Sequence, residues 1–262
     1  MKKIVRVGIN GRPGWGVVEG DEIVHLPEGP FGVDPRRGNV LGRLGDLSLL
    51  APVAPSKVIC VGRNYVAHAA EHGAEVPSKP LLFSKPPSAV IGPGAAIELP
   101  GESDRVEHEG ELAVVVGARC RRVSADDAWS AVLGVSCAND VTARDLQRRD
   151  KQWTRAKGFD TFCPVGPWVV AGIDAGFVAD LGVRCTVNGE LRQRGRTSEM
   201  VFSPAFLVAY ISQVMTLEPG DLILTGTPAG VGPLNPGDTV TVEIEGVGSI
   251  TNPVVDEPCS SP

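Results

Sequence analysis

The chain has 262 residues, with 25 lysines and arginines against 31 aspartates and glutamates and a pI near 5.3. It is long enough to bury a real core. With no basic cluster beyond RCRR and RRDK, it lacks the electrostatic footprint of a nucleic-acid binder. The opening MKKIVRVGINGRPGWG has no apolar core of a secretory leader, and no uncharged apolar run approaches a membrane span, so the expectation is a cytoplasmic protein with no membrane partner.

The 32 glycines and 22 prolines are spread throughout, which predicts many short strands and turns rather than a helix bundle. Cys60, Cys120, Cys137, Cys163, Cys185 and Cys259 show no CxxC or metal-ligand spacing, and several sit inside apolar runs as small hydrophobes. Residues 1–55 predict a small β-rich N-terminal domain built on VRVGI and GWGVVEGDEIVHL. APVAPSK, residues 51–57, reads as a linker, and the main domain, 56–262, begins with the apolar run KVICVG.

A short helix is predicted next, from an Asn64 cap to a Gly73 stop. On it, His68 and Glu71 are three residues apart and share a face. A carboxylate that hydrogen-bonds an imidazole fixes its tautomer and raises its basicity, making the pair a candidate for deprotonating water near neutral pH. The competing reading is an idle surface pair. A second competitor is that His68, Glu71 and His72 spell H-x-x-E-H, the zinc-peptidase pattern, although a helix ending at Gly73 is short for it.

Further on, Glu109, Gly110 and Glu111 lead into the strand-like LAVVVG. Alternation puts the two carboxylates on one face and leaves the other face clear at Gly110. Like charges held that close raise each other's pKa or recruit a cation, for which a hard divalent ion is the economical choice. A helix is predicted from Ser124 to about Gly134, followed by the apolar run LGVSCAND, whose last residue, Asp140, is the candidate third oxygen ligand. The competing reading pairs the glutamates with Arg105, Arg119 or Arg144. The metal reading requires Asp140 to lie beside both glutamates, and it fails if a lysine ammonium fills the gap among the three.

Ser203 and Pro204 start another predicted helix, with Leu207, Tyr210, Ile211 and Val214 as its apolar stripe. Pro-Gly-Asp turns at 219–221 and 236–238 each feed a strand, and in the second strand Val240, Val242 and Ile244 face inward.

Taken in order and spacing, KVICVGRNYVAHAAE, LLFSKPPSAVIGPG, VEHEGELAVVVG, CANDVTARDLQ, QWTRAKGFDTFCPVGPWVV, VNGELRQ, TSEMVFSP and LEPGDLILTGTPAGVGPLNPGDTVTVEIEGVG resemble the fumarylacetoacetate hydrolase family across residues 57–255. The resemblance implies a mixed β-rich (α+β) fold, a β-roll of mixed sheets with short peripheral helices, and a homodimer. It implies that Glu109, Glu111 and Asp140 hold Mg²⁺ or Mn²⁺, and that His68 and Glu71 form a catalytic dyad on a lid over bound substrate. Lys157 matches a lysine that stabilises developing negative charge. Gln147 and Thr227 match substrate contacts, Arg63 lies in a loop near them, and Lys85 is either structural or substrate-facing. Arg194 departs from the acidic or small residue often found at its position.

The substrate class implied is a small 2-oxo acid or its 2-hydroxydienoate enol, handled through a metal-stabilised enolate. Acylpyruvate hydrolysis, oxaloacetate decarboxylation and the 2-hydroxyhepta-2,4-diene-1,7-dioate isomerisation of aromatic breakdown all pass through such an anion, so the core site does not separate them. The non-enzymatic alternative is a degenerate member acting as a binding module, against which stands the complete set of ligands, dyad and lysine.

Overall fold

The structure, a computed structural model, describes residues 1–9, 11–32, 34–71 and 73–258. It is organised around a large mixed sheet of 12 strands. Across it run, in order, Val40–Arg43, Glu22–Leu26, Arg12–Glu19, Lys2–Ile9, Cys163–Ala171, Val132–Asn139, Gly110–Val116, Leu222–Leu224, Val58–Gly62 and Leu81–Lys85. A 5-stranded sheet, ordered Glu190–Arg196, Gly182–Val187, Thr239–Ile244, Gly248–Asp256 and Ile97–Leu99, packs against one face. A 3-stranded ribbon of Thr142–Ala143, Val106–His108 and Gly232–Pro233 lies beside the site described below.

The central strand Gly110–Val116 is buried at every position, as expected of a segment covered on both faces. Its alternate side chains feed two cores. Leu112, Val114 and Val116 meet Val183, Val242 and Ile250 of the second sheet, while Ala113 and Val115 join Ile4, Val17, Val58 and Leu222. The strands of residues 1–55 therefore extend the same sheet and share its second core. Lys2, Lys3 and Ile4 pair antiparallel with Ala171, Val170 and Val169. The segment expected to be a linker is anchored, because Asp221 Oδ1 accepts from Ser56 N, Ser56 Oγ and Lys57 N at 3.1, 2.6 and 3.1 Å.

Two predicted helices need correction. Over 124–134 only Ala128–Ala131 forms a single 3-10 turn, and Val132 already starts a strand. Ser124 Oγ does accept from Asp127 N–H at 3.1 Å, yet strand pairing takes over because Val135 and its neighbours bury into both cores. Gly134 is required there, since a Cβ would stand 2.0 Å from Val170 O on the neighbouring strand. The helix after Asn64 covers Val66–Glu71, and Gly73, at φ +62°, closes it as expected. Asn64 itself does not cap it. Its side chain, fully buried, donates to Phe202 O and Thr225 O and accepts from Phe202 N–H, tying two distant loops together.

Pro204–Val214 is helical with Ser203 Oγ accepting from Phe206 N–H, but its buried stripe is Leu207, Val208 and Ile211, with Val214 63% exposed. The strand Thr239–Ile244 turns Val240, Val242 and Ile244 inward as predicted. Two short helices, Arg144–Asp150 and Thr154–Lys157, were not anticipated, and both carry residues of the site. Cys60, Cys120, Cys137, Cys163 and Cys185 are buried free thiols, and burial raises Cys137 and Cys163 to about 12. Cys259 lies outside the described residues. Among the described residues no helix is long and apolar enough to cross a membrane.

Candidate active site

The site starts from a strand register. Gly110–Val116 pairs antiparallel with Val132–Asn139 so that Gly110 faces Asn139 and Glu111 faces Ala138. One step beyond that pairing, Asp140 N–H donates to Glu109 O at 2.9 Å, and Glu109 N–H donates to Asn139 Oδ1 at 2.9 Å. Strand alternation turns Glu109 and Glu111 to the same side. One oxygen each from Glu109, Glu111 and Asp140 thus comes within 4.8 Å of the others, all three residues being buried. The opposite face at Gly110 is not clear, as alternation alone suggested. The second sheet packs onto it, and a Cβ would meet Cys185 Cβ at 3.2 Å and Val242 Cγ1 at 3.3 Å.

Cations gather at two of the three carboxylates. Lys157 Nζ donates to Glu109 Oε2 and Asp140 Oδ2 at 2.8 Å each. Lys85 Nζ donates to Asp140 Oδ1 at 2.6 Å and to Val141 O at 3.0 Å, which settles Lys85 as a buried tie beneath the triad. Arg144 Nη2 donates to Glu109 Oε1 at 2.6 Å, and its Nε donates to Glu107 Oε2 at 2.7 Å. Of the arginines weighed against a metal, Arg105 serves Glu107, and Arg119 serves the surface Glu218.

A lysine ammonium therefore does sit in the cluster, but it bridges two members and not the third. Glu111, 1% exposed, accepts one hydrogen bond, from Gly226 N–H at 2.6 Å, and among the described residues has no ion pair. Burial, with Asp140 and Glu109 as like charges beside it, pushes its carboxyl well above the ordinary range. Burial also acts upward on Glu109, but Lys157 and Arg144 overcome it and hold that carboxyl below its ordinary value. An ionised carboxylate has about four acceptor sites, so Glu109 and Asp140 retain lone pairs beyond those the cations use. Three hard oxygen donors, one of them outside the cluster's ion pairs, fit a divalent cation such as Mg²⁺ or Mn²⁺.

His68 and Glu71 face the triad from the Val66–Glu71 helix, with His68 Nδ1 3.5 Å from Glu71 Oε2. Burial lowers the imidazole pKa, as do Arg144 and Lys157, against the upward pull of Glu109 and Glu71, so it is neutral at pH 7. The Glu71 carboxylate also accepts from Gly230 N–H at 3.2 and 3.3 Å. His72, needed for the zinc-peptidase alternative, lies outside the described residues, and the helix before it has 6 residues.

A cavity of about 330 Å³ joins these groups. Glu109, Glu111, Asp140, Lys157, His68 and Glu71 line it, and so do Arg63, Gln147 and Thr227. Arg63 holds a left-handed backbone, φ 59°, which a non-glycine residue adopts only when its surroundings impose it. Gln147 Oε1 accepts from Arg144 Nη1 at 2.7 Å, leaving its amide N–H₂ for other acceptors. Thr227 Oγ1 donates to Gly110 O at 2.8 Å. Arg194 stands on an exposed stretch of strand and does not line the cavity. Sequence reasoning missed Arg148, Phe83 and Trp153 on the walls, whereas Arg144, weighed there as a partner of the glutamates, does pair with Glu109.

Residues 57–255 match the family described as fumarylacetoacetate (FAA) hydrolase, C-terminal, and residues 2–52 match one described as Rv2993c-like, N-terminal. Protein Rv2993c of Mycobacterium tuberculosis is 52% identical over 230 residues, covering 88% of this chain and 86% of that protein. The mitochondrial oxaloacetate tautomerase fahd2 of Xenopus laevis is 44% identical over 227 residues, 83% of this chain and 71% of its own. The crystal structure of 2-hydroxyhepta-2,4-diene-1,7-dioate isomerase from Mycobacterium marinum superposes with a TM-score of 0.89 at 46% identity, covering 98% of this chain and 99% of that one.

Proposed function

The chain belongs to the fumarylacetoacetate hydrolase family, and from that premise we propose that it is a divalent-metal-dependent enzyme shifting a proton between the keto and enol forms of a small 2-oxo acid. The observation that carries this reading is the buried triad of Glu109, Glu111 and Asp140 opening onto the same cavity as His68 and Glu71, with the cluster's ion pairs made to Glu109 and Asp140 and not to Glu111. A cavity of about 330 Å³ suits a metabolite of a few carbons.

Glu109, Glu111 and Asp140 would hold the ion, which supplies Lewis-acid polarisation of the 2-oxo group and makes the adjacent carbon acidic. The remaining chemistry falls to side chains. His68, neutral at pH 7, takes the proton from that carbon and returns it, while Glu71 orients the ring and steadies the imidazolium that forms. Gln147, its carbonyl engaged by Arg144, turns its N–H₂ to the developing oxyanion. Lys157 keeps Glu109 and Asp140 in place and adds positive charge beside that oxyanion. Arg63 and Arg148 line the cavity and form no ion pair among the described residues, so they are available to substrate carboxylates. Thr227 forms wall rather than donor, its hydroxyl proton being committed to Gly110 O.

Support for a proton shift over carbon–carbon hydrolysis or decarboxylation comes from the relatives, a tautomerase and an isomerase, whose named reactions move a proton and leave the carbon skeleton whole. The test is proton exchange at C3 of oxaloacetate in D₂O, followed by NMR with Mg²⁺, Mn²⁺ or EDTA, alongside pyruvate release from oxaloacetate and acetylpyruvate. Metal-dependent exchange that outruns pyruvate release is expected. Pyruvate release as fast as exchange refutes the proton-shift reading, and full activity in EDTA refutes the metal.

A further inference from the structure

Gln193 belongs to the other sheet, yet it reaches the backbone between the two glutamates of the triad. It lies on the edge strand Glu190–Arg196, where burial alternates with exposure and Gln193 is fully buried. The strand bulges just before it: Thr186 faces Leu191 and Cys185 faces Gln193, leaving Arg192 as the extra residue. Such a bulge re-aims the side chain that follows it. The loop opposite is moulded to this strand, since a Cβ at Gly195 would meet Pro228 Cβ at 2.6 Å and one at Gly230 would meet Arg192 O at 2.1 Å.

All the hydrogen-bonding capacity of the Gln193 amide that the site can use is used. Oε1 accepts from Gly110 N–H at 2.9 Å and from His108 Nδ1 at 3.0 Å, while Nε2 donates to Thr227 Oγ1 and Pro228 O at 2.7 Å each. The orientation is fixed by chemistry: Gly110 N–H only donates and the Pro228 carbonyl only accepts, so the amide has one satisfied setting. Gln193 thereby clamps two things together. One is the Glu109–Gly110–Glu111 backbone, which Thr227 grips again through Gly110 O. The other is the loop from Gly226 to Gly230, whose Gly226 N–H holds Glu111 and whose Gly230 N–H holds Glu71.

We propose that Gln193 is the positioning residue of the metal centre, fixing from the second sheet the spacing of Glu109 and Glu111 and the loop that supports Glu111 and Glu71. This rests on the metal reading given above. Partners that orient ligands in this way are worth about 10–100-fold in metal affinity. Gln193→Leu keeps most of the volume and removes all four bonds. Gln193→Glu keeps the acceptor for Gly110 N–H but loses the donor to Thr227 and Pro228.

The readout is Mn²⁺ affinity, from the free-ion signal in electron paramagnetic resonance, on protein shown to be folded by circular dichroism. Relative to wild type, Gln193→Leu is expected to bind Mn²⁺ about 10–100-fold more weakly, with Gln193→Glu between the two. If Gln193→Leu does not fold, Gln193→Glu alone decides, with weakening of at least threefold expected. A variant that melts lower but binds Mn²⁺ within a factor of two of wild type reduces Gln193 to a packing residue and overturns the proposal. Wild-type protein that binds no Mn²⁺ overturns the metal reading itself.

Discussion

Replacing Glu111 by glutamine should make the metal-free protein more stable and at the same time abolish its response to metal. Glutamine keeps an oxygen for Gly226 N–H and offers N–H₂ to Asp140 or Glu109 in place of a repelling carboxylate. Two unit charges at the 4.8 Å bound of the triad repel by about 3.5 kcal/mol at an effective dielectric constant of about 20. Lys157 and Lys85 offset part of this, so the net gain at pH 8 is roughly 1–3 kcal/mol, or about 3–10 °C in Tm for a chain of this size. The sign with pH follows from linkage. The Glu111 pKa is raised on folding, so the folded state binds the extra proton, and wild type loses stability as pH climbs from the ordinary glutamate value through the raised one. Glu111→Gln has no such loss, so its advantage widens across that window. Calorimetric melting in EDTA and in Mg²⁺ across pH 5 to about 9 measures both effects. A metal-free variant that melts below wild type at pH 8, or an equal rise with Mg²⁺ in both proteins, refutes the charge argument.

Removing the base should cost rate without touching metal. His68→Gln is expected to slow C3 exchange by roughly 10²–10⁴-fold with calorimetric Mn²⁺ affinity within twofold of wild type, and a large loss of affinity would place His68 among the ligands. Lys85→Met leaves Asp140 Oδ1 and Val141 O without their buried donor, for which urea unfolding in EDTA should record a loss of about 3–5 kcal/mol. A loss under about 1 kcal/mol would show that the ammonium contributes little net stability.

The triad was legible because its logic is local. Two glutamates at alternate positions and an aspartate at the end of an apolar run need only one strand pairing, Gly110 with Asn139, to converge. The proximity of His68 and Glu71 was legible for the same reason, three residues apart on one turn. What escaped depends on contacts distant in sequence. Asn64 has the look of a helix cap, but it is spent on Phe202 and Thr225, more than 130 positions on. The 124–134 segment has a helix-start signature overridden by sheet pairing of Val135 with Val170. Gln193 sits in a recognisable NGELRQ motif, but its value appears only when a second sheet is laid across Gly110. The pairing of Ile4 with Val169, by which the strands of residues 1–55 run on into the main sheet, is likewise a contact distant in sequence.

That shared edge has a consequence for biosynthesis. Ile4 waits for Val169, its pairing partner, to be translated, a delay of roughly eight to thirty seconds at about 5–20 residues per second. During that interval the hairpin of Lys2–Ile9 with Arg12–Glu19 can form, and Leu49–Leu50 can cover Arg6 and Val7, but the Lys2–Ile4 stretch of its rim stays unpaired. Nascent chains of this protein should therefore be clients for holding chaperones until the strand Cys163–Ala171 clears the exit tunnel and closes the rim.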